Sequence, residues 1–323
     1  MTHPQVICIG EILFDRLSNE LGKPLETVKS WTDYPGGAPA NTACGLVKLG
    51  IPTAFIGCIG EDKSGDQLVE VLTQTGVNIV GVQRHSSAPT RIVYVVRDEK
   101  GDRSFAGFGE RKTTEFADTY LRSEALPHEL FKTAKFLILG TLELAYQQNQ
   151  EAILTAVNIA KNYNVQLFID VNWRPMFWQD PDQAIELILK FIQNADFLKL
   201  TDEEAELLFN TINPEAIAKQ LQIQGVFVTA GERGCTYYLG DNYGKIPAFS
   251  VNVVDTTGAG DGFTAGIIDQ FCKLGIESIN NSQIAKKIVI FASVVGALTT
   301  TKPGAIAAQP TLTEVKTFLE KFL

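Results

Sequence analysis

The segment richest in chemistry runs Val253-Val254-Asp255-Thr256-Thr257-Gly258-Ala259-Gly260-Asp261-Gly262-Phe263. It reads as a short strand, a glycine-rich turn and an apolar helix from about Gly262 to Leu274. Such a junction makes an anion site: glycines permit close approach, successive backbone N–H groups face the ligand, and the helix dipole favours negative charge. A phosphate fits that description. Asp261 stands out, because a carboxylate beside a bound phosphate repels it unless it has another task. Either it caps the helix, or it is a base that orients and deprotonates an attacking hydroxyl in phosphoryl transfer. The cradle next to it favours the base.

A second segment, Gly36-Gly37-Ala38-Pro39-Ala40-Asn41 through Gly50, has Pro39 in a first helical turn and Gly50 past the end. Asn41 lies on that first turn, as a local cap or as an amide placed to bind neutral hydroxyls. Gly260-Asp261-Gly262-Phe263-Thr264-Ala265 also fits the loose dinucleotide pattern G-x-G-x-x-A, but about 20 residues on stands only Asn280-Asn281, with no acid to hold a ribose. No Walker A motif occurs. Three histidines (His3, His85, His128) and five scattered cysteines (Cys8, Cys44, Cys58, Cys235, Cys272) have no metal-ligand spacing, and the cysteines read as reduced core thiols.

Elements must position these residues. Short apolar runs, Val6 to Ile9, Ala54 to Cys58, Phe136 to Leu139, Val165 to Ile169 and Val226 to Thr229, alternate with helical stretches. That pattern predicts an α/β fold with a doubly wound, mostly parallel sheet. Two segments break the rhythm: Gly22 to Tyr34, and a hairpin of Arg91 to Arg97 and Arg103 to Phe108 turning around Glu99-Lys100-Gly101-Asp102. We expect them to pair as a small β lid of residues 12–35 and 90–112, beside a main domain of 1–11, 36–89 and 113–323. The 323 residues carry 28 Lys plus Arg against 37 Asp plus Glu, a net charge of -9, which disfavours nucleic acid as a partner. The apolar runs noted fall short of the roughly 20 residues that cross a bilayer. No secretory signal is evident, so the expected location is cytoplasmic.

Taken together, the two segments resemble the pfkB-type (ribokinase-like) carbohydrate kinases. Asp255-Thr256-Thr257-Gly258-Ala259-Gly260-Asp261 is similar to the family's C-terminal signature, and Gly36-Gly37-Ala38-Pro39-Ala40-Asn41 to its N-terminal one in the fructokinase form. Gly10-Glu11, Asp15, Gly57 to Asp62, Asp170-Val171-Asn172-Trp173-Arg174, Thr229 to Gly234 and Lys302-Pro303-Gly304-Ala305 extend the likeness over nearly the whole chain.

The resemblance implies a ribokinase-like fold with a lid over the sugar, ATP and Mg²⁺ as cofactors, and a homodimer through the lid. It implies that Asp261 is the base, that Gly258, Ala259 and Gly260 form the anion hole, and that Asp15, Gly36, Gly37, Asn41 and Arg174 meet the sugar. Thr229, Gly231, Gly234 and Gly260 would meet the nucleotide. Asp255, Thr257, Thr299, Lys302, Gly304 and Ala308 would hold a monovalent cation such as K⁺. Many relatives organise Mg²⁺ through an Asn-x-x-Glu motif, whereas this chain reads Thr201-Asp202-Glu203-Glu204, keeping Glu204 alone, for a water-mediated contact.

Three functions follow: a fructokinase acting on the 6-hydroxyl of D-fructose, a kinase for 2-keto-3-deoxygluconate or another sugar, or a silent sugar-sensing or scaffold protein. The intact Asp261 and its glycines speak against silence. Arg174 could pair with a sugar-acid carboxylate or sit in a surface ion pair near Asp170 or Asp180, but the resemblance of Gly36 to Asn41 and of Asp170 to Trp178 to fructokinase-type sequences, in which an Arg also occurs at this place, favours fructose.

Overall fold

A computed structural model describes residues 3–99 and 103–321. Its main sheet has nine described strands in the order β13-β12-β11-β10-β9-β8-β1-β4-β5. Seven run parallel: β1 (Val6–Ile9), β4 (Thr53–Gly60), β5 (Asn78–His85), β8 (Phe136–Leu139), β9 (Gln166–Asp170), β10 (Phe197–Thr201) and β11 (Gly225–Thr229). β12 (Cys235–Leu239) and β13 (Asn242–Ile246) finish the sheet antiparallel. A separate four-stranded sheet has the order β3-β2-β6-β7, formed by β2 (Leu13–Leu21), β3 (Trp31–Gly36), β6 (Ile92–Arg97) and β7 (Arg103–Gly107). The hairpin strand β6 joins this sheet through β2, which precedes Gly22; β3, the strand within the Gly22 to Tyr34 segment, pairs with the far side of β2, so the two interrupting segments share a sheet without pairing directly. The hairpin turn expected between β6 and β7 lies, from Lys100 to Asp102, outside the described residues.

The period of two along the strands divides the core. Val6 and Cys8 join one buried cluster, Ile7 and Ile9 the other. The first face is covered by α1 (Ala38–Lys48), α2 (Lys63–Thr75), α8 (Ala259–Leu274), α9 (Ser282–Thr299), α10 (Ala305–Ala308) and α11 (Leu312–Leu319). The second is covered by α3 (His128–Phe131), α4 (Gln147–Asn162), α5 (Pro181–Phe191), α6 (Asp202–Phe209) and α7 (Pro214–Leu221). Phe136, Phe168, Phe197 and Phe227 stand on four adjacent strands and seat α8, whose Phe271 lies 4.7 Å from Phe197 and 5.8 Å from Phe136 between ring centroids.

Four strands of the main sheet, β5, β10, β12 and β13, escaped the sequence reading. Lys199 interrupts the apolar run of β10, and β5 is a polar edge strand, so neither shows as a continuous apolar stretch. The strand expected at Val253-Val254 does not form. There the backbone N–H groups of Val254 and Asp255 donate to Thr300 O at 2.8 and 3.1 Å, docking the segment on the end of α9 instead of on a sheet edge. α9 is long and apolar enough to cross a membrane by length and composition, which the sequence reading overlooked. Its Ile288, Val289, Ala292, Val294 and Val295 are nonetheless buried in the core.

Arg91, expected as the first residue of the lid hairpin, instead turns into the interior just before β6. Its guanidinium, with the side chain 0% exposed, donates to both Asp118 oxygens at 2.5 and 2.8 Å and to Thr113 O at 2.9 Å. The rings of Phe108, Phe116, Tyr146 and Phe177 surround it with centroids 4.5 to 5.6 Å away. This box joins the root of the small sheet to the main domain. Removing one partner of a buried pair strands the other charge at a cost of roughly 3–5 kcal/mol. We therefore expect Arg91→Met to lose about that much stability in guanidinium denaturation, and a loss below about 1 kcal/mol would show that the box does not anchor the small sheet.

Candidate active site

The site lies where the C-terminal ends of the parallel strands meet the starts of α1 and α8, the usual place for ligands in doubly wound sheets. α1 starts tightly against β1. Gly37 has φ +106°, and a Cβ there would lie 2.5 Å from Glu11 O. The following N–H, of Ala38, donates to Glu11 Oε1 at 2.7 Å. One turn on, the buried Asn41 donates from Nδ2 to Asp261 Oδ2 at 2.8 Å. The two sequence segments are thus joined directly. Asn41 Oδ1 is buried with no protein partner, an acceptor that calls for a ligand donor.

α8 begins earlier than the sequence suggested. Gly258, left-handed at φ +80°, is the N-cap, so Gly260 and Asp261 lie in the first turn and the capping alternative for Asp261 falls away. A Cβ on Gly260 would come within 2.8 Å of Lys199 Nζ. Burial, and the Asp170 carboxylate after it, push Asp261 up to about 6, while the Asn41 hydrogen bond, Lys199 and Arg174 oppose them. A carboxyl titrating near there is close to the optimum for a base working at neutral pH.

Asp15, on β2 of the small sheet, is likewise raised to about 6 by burial, with Arg103 and Arg174 pulling it down. Gly36 is adjacent, since a Cβ on it would meet Asp15 Oδ2 at 2.7 Å. Arg174 is exposed and donates to Trp173 O at 2.8 Å. Asp170, one partner considered for Arg174, is taken up by Lys199 and Thr264. Arg103 crosses from β7 to the main domain, donating to Thr257 Oγ1 at 2.8 Å and Asp255 Oδ2 at 2.9 Å. Asp15, Tyr34, Arg103, Thr257 and Gly304 line a cavity of about 120 Å³. A larger hollow of about 410 Å³, by Lys219 and Asp241, lies at the opposite end of β11, away from every residue described in this section.

Sequence reasoning missed Glu143. It is buried against Glu11, the two carboxyls hydrogen-bond, and burial raises both, Glu143 to about 7. A shared proton accounts for that pairing. Glu143 Oε2 has no protein partner.

At the other side of the cleft, Thr229 closes β11 opposite Thr201 of β10, and Gly231 and Gly234, at φ +51° and +88°, bracket a single 3-10 turn. Glu204 is buried, with Oε2 accepting from Thr201 N at 2.7 Å and Oε1 from Trp173 N at 2.5 Å. It closes the capping box of α6, so both oxygens are already engaged.

The loops expected to hold a monovalent cation do meet: Gly304 N donates to Asp255 Oδ2 at 2.9 Å, and Thr299 and Ala308 are buried. The Asp255 carboxylate already accepts from Arg103, Gly304 and Thr257. Lys302 pairs its ammonium with Glu314 at 2.8 Å, which leaves its main chain for any such role. Neutral oxygens would carry the binding, and they suit a weakly charged ion better than a divalent one.

Residues 3–312 match the pfkB family carbohydrate kinase family. This chain belongs to that family. It is 34% identical over 313 residues to "Probable fructokinase-6, chloroplastic" of Arabidopsis thaliana, covering 95% of this chain and 80% of that one. The crystal structure of a fructokinase with bound ATP from Xylella fastidiosa superposes with a TM-score of 0.89 at 29% identity, covering 98% of each chain. A fructokinase double mutant from Vibrio cholerae O395, with fructose, ADP and potassium ion bound, gives 0.84 at 25% identity over 98% of each chain. As a pfkB-family carbohydrate kinase the chain is an enzyme of phosphoryl transfer to a sugar.

Asn41→Ala removes the neutral donor that favours charged Asp261. Its carboxyl should then titrate above about 6, and the acid limb of kcat/KM should move to higher pH by roughly half a unit or more. A limb at the wild-type position would show that the 2.8 Å contact does not bear on the titration of Asp261.

Proposed function

We propose that this pfkB-family enzyme is an ATP-dependent fructokinase that transfers the γ-phosphoryl group to the 6-hydroxyl of D-fructose. The carrying observation is the Asn41–Asp261 hydrogen bond, which places a raised carboxyl beside an orphan amide acceptor at the start of the anion cradle. Asp261 takes the hydroxyl proton, and the N–H groups of Gly258 to Gly260 receive the negative charge of the transferring phosphoryl group. Asp15, Asn41, Glu143 and the Gly36-Gly37 backbone supply donors and acceptors to the sugar. Thr229, Gly231 and Gly234 take the nucleotide.

A neutral sugar suits the charges better than a sugar acid. Asp15 and Asp261 already crowd the region with negative charge, and Arg174 lowers Asp15 less than Arg103 does and Asp261 less than Lys199 does, so a sugar acid would bring a third carboxylate into the same region. The names of the relatives point the same way. With its oxygens engaged, Glu204 reaches Mg²⁺ through water at most, and the metal would rest chiefly on the ATP phosphates, whose charge it neutralises. K⁺ is the monovalent ion that we assign to the Asp255 and Thr299 to Ala308 loops, beside the cradle.

Comparing kcat/KM for fructose, 2-keto-3-deoxygluconate and ribose tests the substrate: fructose should lead by roughly 10-fold or more, given what unpaired polar groups cost a buried site. A higher value for the acid would transfer Arg174 to its carboxylate and sink the assignment. In fructose assays, K⁺ should raise the rate over tetramethylammonium; equal rates would remove the cation. Asp261→Asn should keep the fold and lose about 10²- to 10⁴-fold in kcat, and near wild-type turnover would show that Asp261 is not the base.

A further inference from the structure

The strand ends beneath α8 carry charges where the alternation calls for apolar side chains. Phe168 of β9 and Phe197 of β10 are directly opposite and face α8, and two residues on, on the same face, Asp170 stands opposite Lys199. Lys199 Nζ donates to both Asp170 oxygens at 3.0 and 2.9 Å, and Thr264 Oγ1 donates to Asp170 Oδ2 at 3.0 Å. All three side chains are buried. The aromatic row thus seats the body of α8, and the charged pair seats its first turn. Thr264 lies one helical turn beyond Asp261, on the same face, while Gly260 sits so close to the ammonium that a Cβ would come within 2.8 Å of Nζ.

A buried ion pair is weak evidence for stability, because well-packed apolar residues of the same volume would serve as well or better. Here the pair occupies the one stretch of the row that underlies the anion cradle.

We propose that Asp170 and Lys199 are a positioning pair for phosphoryl transfer: they fix the first turn of α8 against the sheet and set the electrostatic environment in which Asp261 works. This rests on the reading of Asp261 as the base. The groups that face Asp261 are Asn41 from α1, Asp15 from β2, Arg174 from the loop after β9, Asp170 from β9 and Lys199 from β10. Glu204 adds its charge to Asp170 and Lys199 from α6. Of these, Asp170 raises the Asp261 carboxyl and Lys199 lowers it, and Lys199 itself is held charged by Asp170 and Glu204 in spite of its burial.

The two charges therefore act on the base with opposite signs, and removing each one separately should move the pH profile in opposite directions. Asp170→Asn removes a negative neighbour, so Asp261 stays ionised to lower pH and the acid limb of kcat/KM moves down by roughly half to one pH unit. Lys199→Met moves it up by a similar amount. The double variant K199M/D170N replaces both charges with neutral groups of similar size, which keeps the space filled where a single variant strands a buried charge. Its limb should return toward wild type, with kcat lowered about tenfold and KM for fructose little changed, since the turn is loosened without touching the sugar contacts. Circular dichroism confirms folding, and D261N is assayed alongside. D261N inactive, with the limbs of the folded single variants unmoved or the double variant at wild-type kcat, overturns this proposal alone. D261N as active as wild type overturns the base assignment and this proposal with it.

Discussion

The hydrogen bond from Asn41 Nδ2 to Asp261 Oδ2, 2.8 Å long and spanning 220 residues of sequence, is the contact on which the site depends. It forms only if two helix starts from opposite ends of the chain arrive at the same strand ends. α1 is brought there by Gly37, pressed against the backbone of Glu11 at the end of β1. α8 is brought there by the phenylalanine row and by the Asp170–Lys199 pair beyond it. Neither placement is local: a doubly wound sheet puts sequence-distant loops side by side at its C-terminal edge, and small residues at the helix starts let backbone approach backbone.

Much of this was legible in the sequence because glycines, Pro39 and an out-of-place Asp261 each announce a specific backbone or chemical need. The parallel sheet could be read from its short apolar runs, and the small sheet from two segments that fitted no βα unit. The supporting charges were harder to see. Lys199 in Phe-Leu-Lys-Leu hid β10 by breaking its apolar run, and Asp170 suggested a surface partner for Arg174. The signal was available in the alternation: both stand two residues from a phenylalanine and so share its core-facing side. Arg91 and Glu143 gave no such sign, for their burial depends on the loops after β7 and β8, whose course no periodicity describes. The helix start was misplaced by three residues because Gly258 in a left-handed cap lets α8 begin within the glycine-rich turn.

If the cleft takes an anionic nucleotide as proposed, Asp15, Asp261, Asp170, Glu204, Glu11 and Glu143 face strong like-charge repulsion, and the structure answers it acid by acid. Asp170 is matched by Lys199, Glu204 by two backbone N–H groups, and Glu11 and Glu143 by a proton between them. Asp15 is lowered by Arg103 and Arg174, and Asp261 by the Asn41 hydrogen bond, Lys199 and Arg174, yet burial carries both to about 6. For Asp261 that rise corresponds to roughly 3 kcal/mol in favour of its protonated form at about 1.4 kcal/mol per unit, which burial imposes before any substrate arrives. The same burial makes the carboxylate, once ionised, a stronger base than a solvated aspartate. On the proposed reading, burial thus prepares Asp261 to remove a proton beside the backbone N–H groups of Gly258 and Gly260, which would receive the phosphoryl charge.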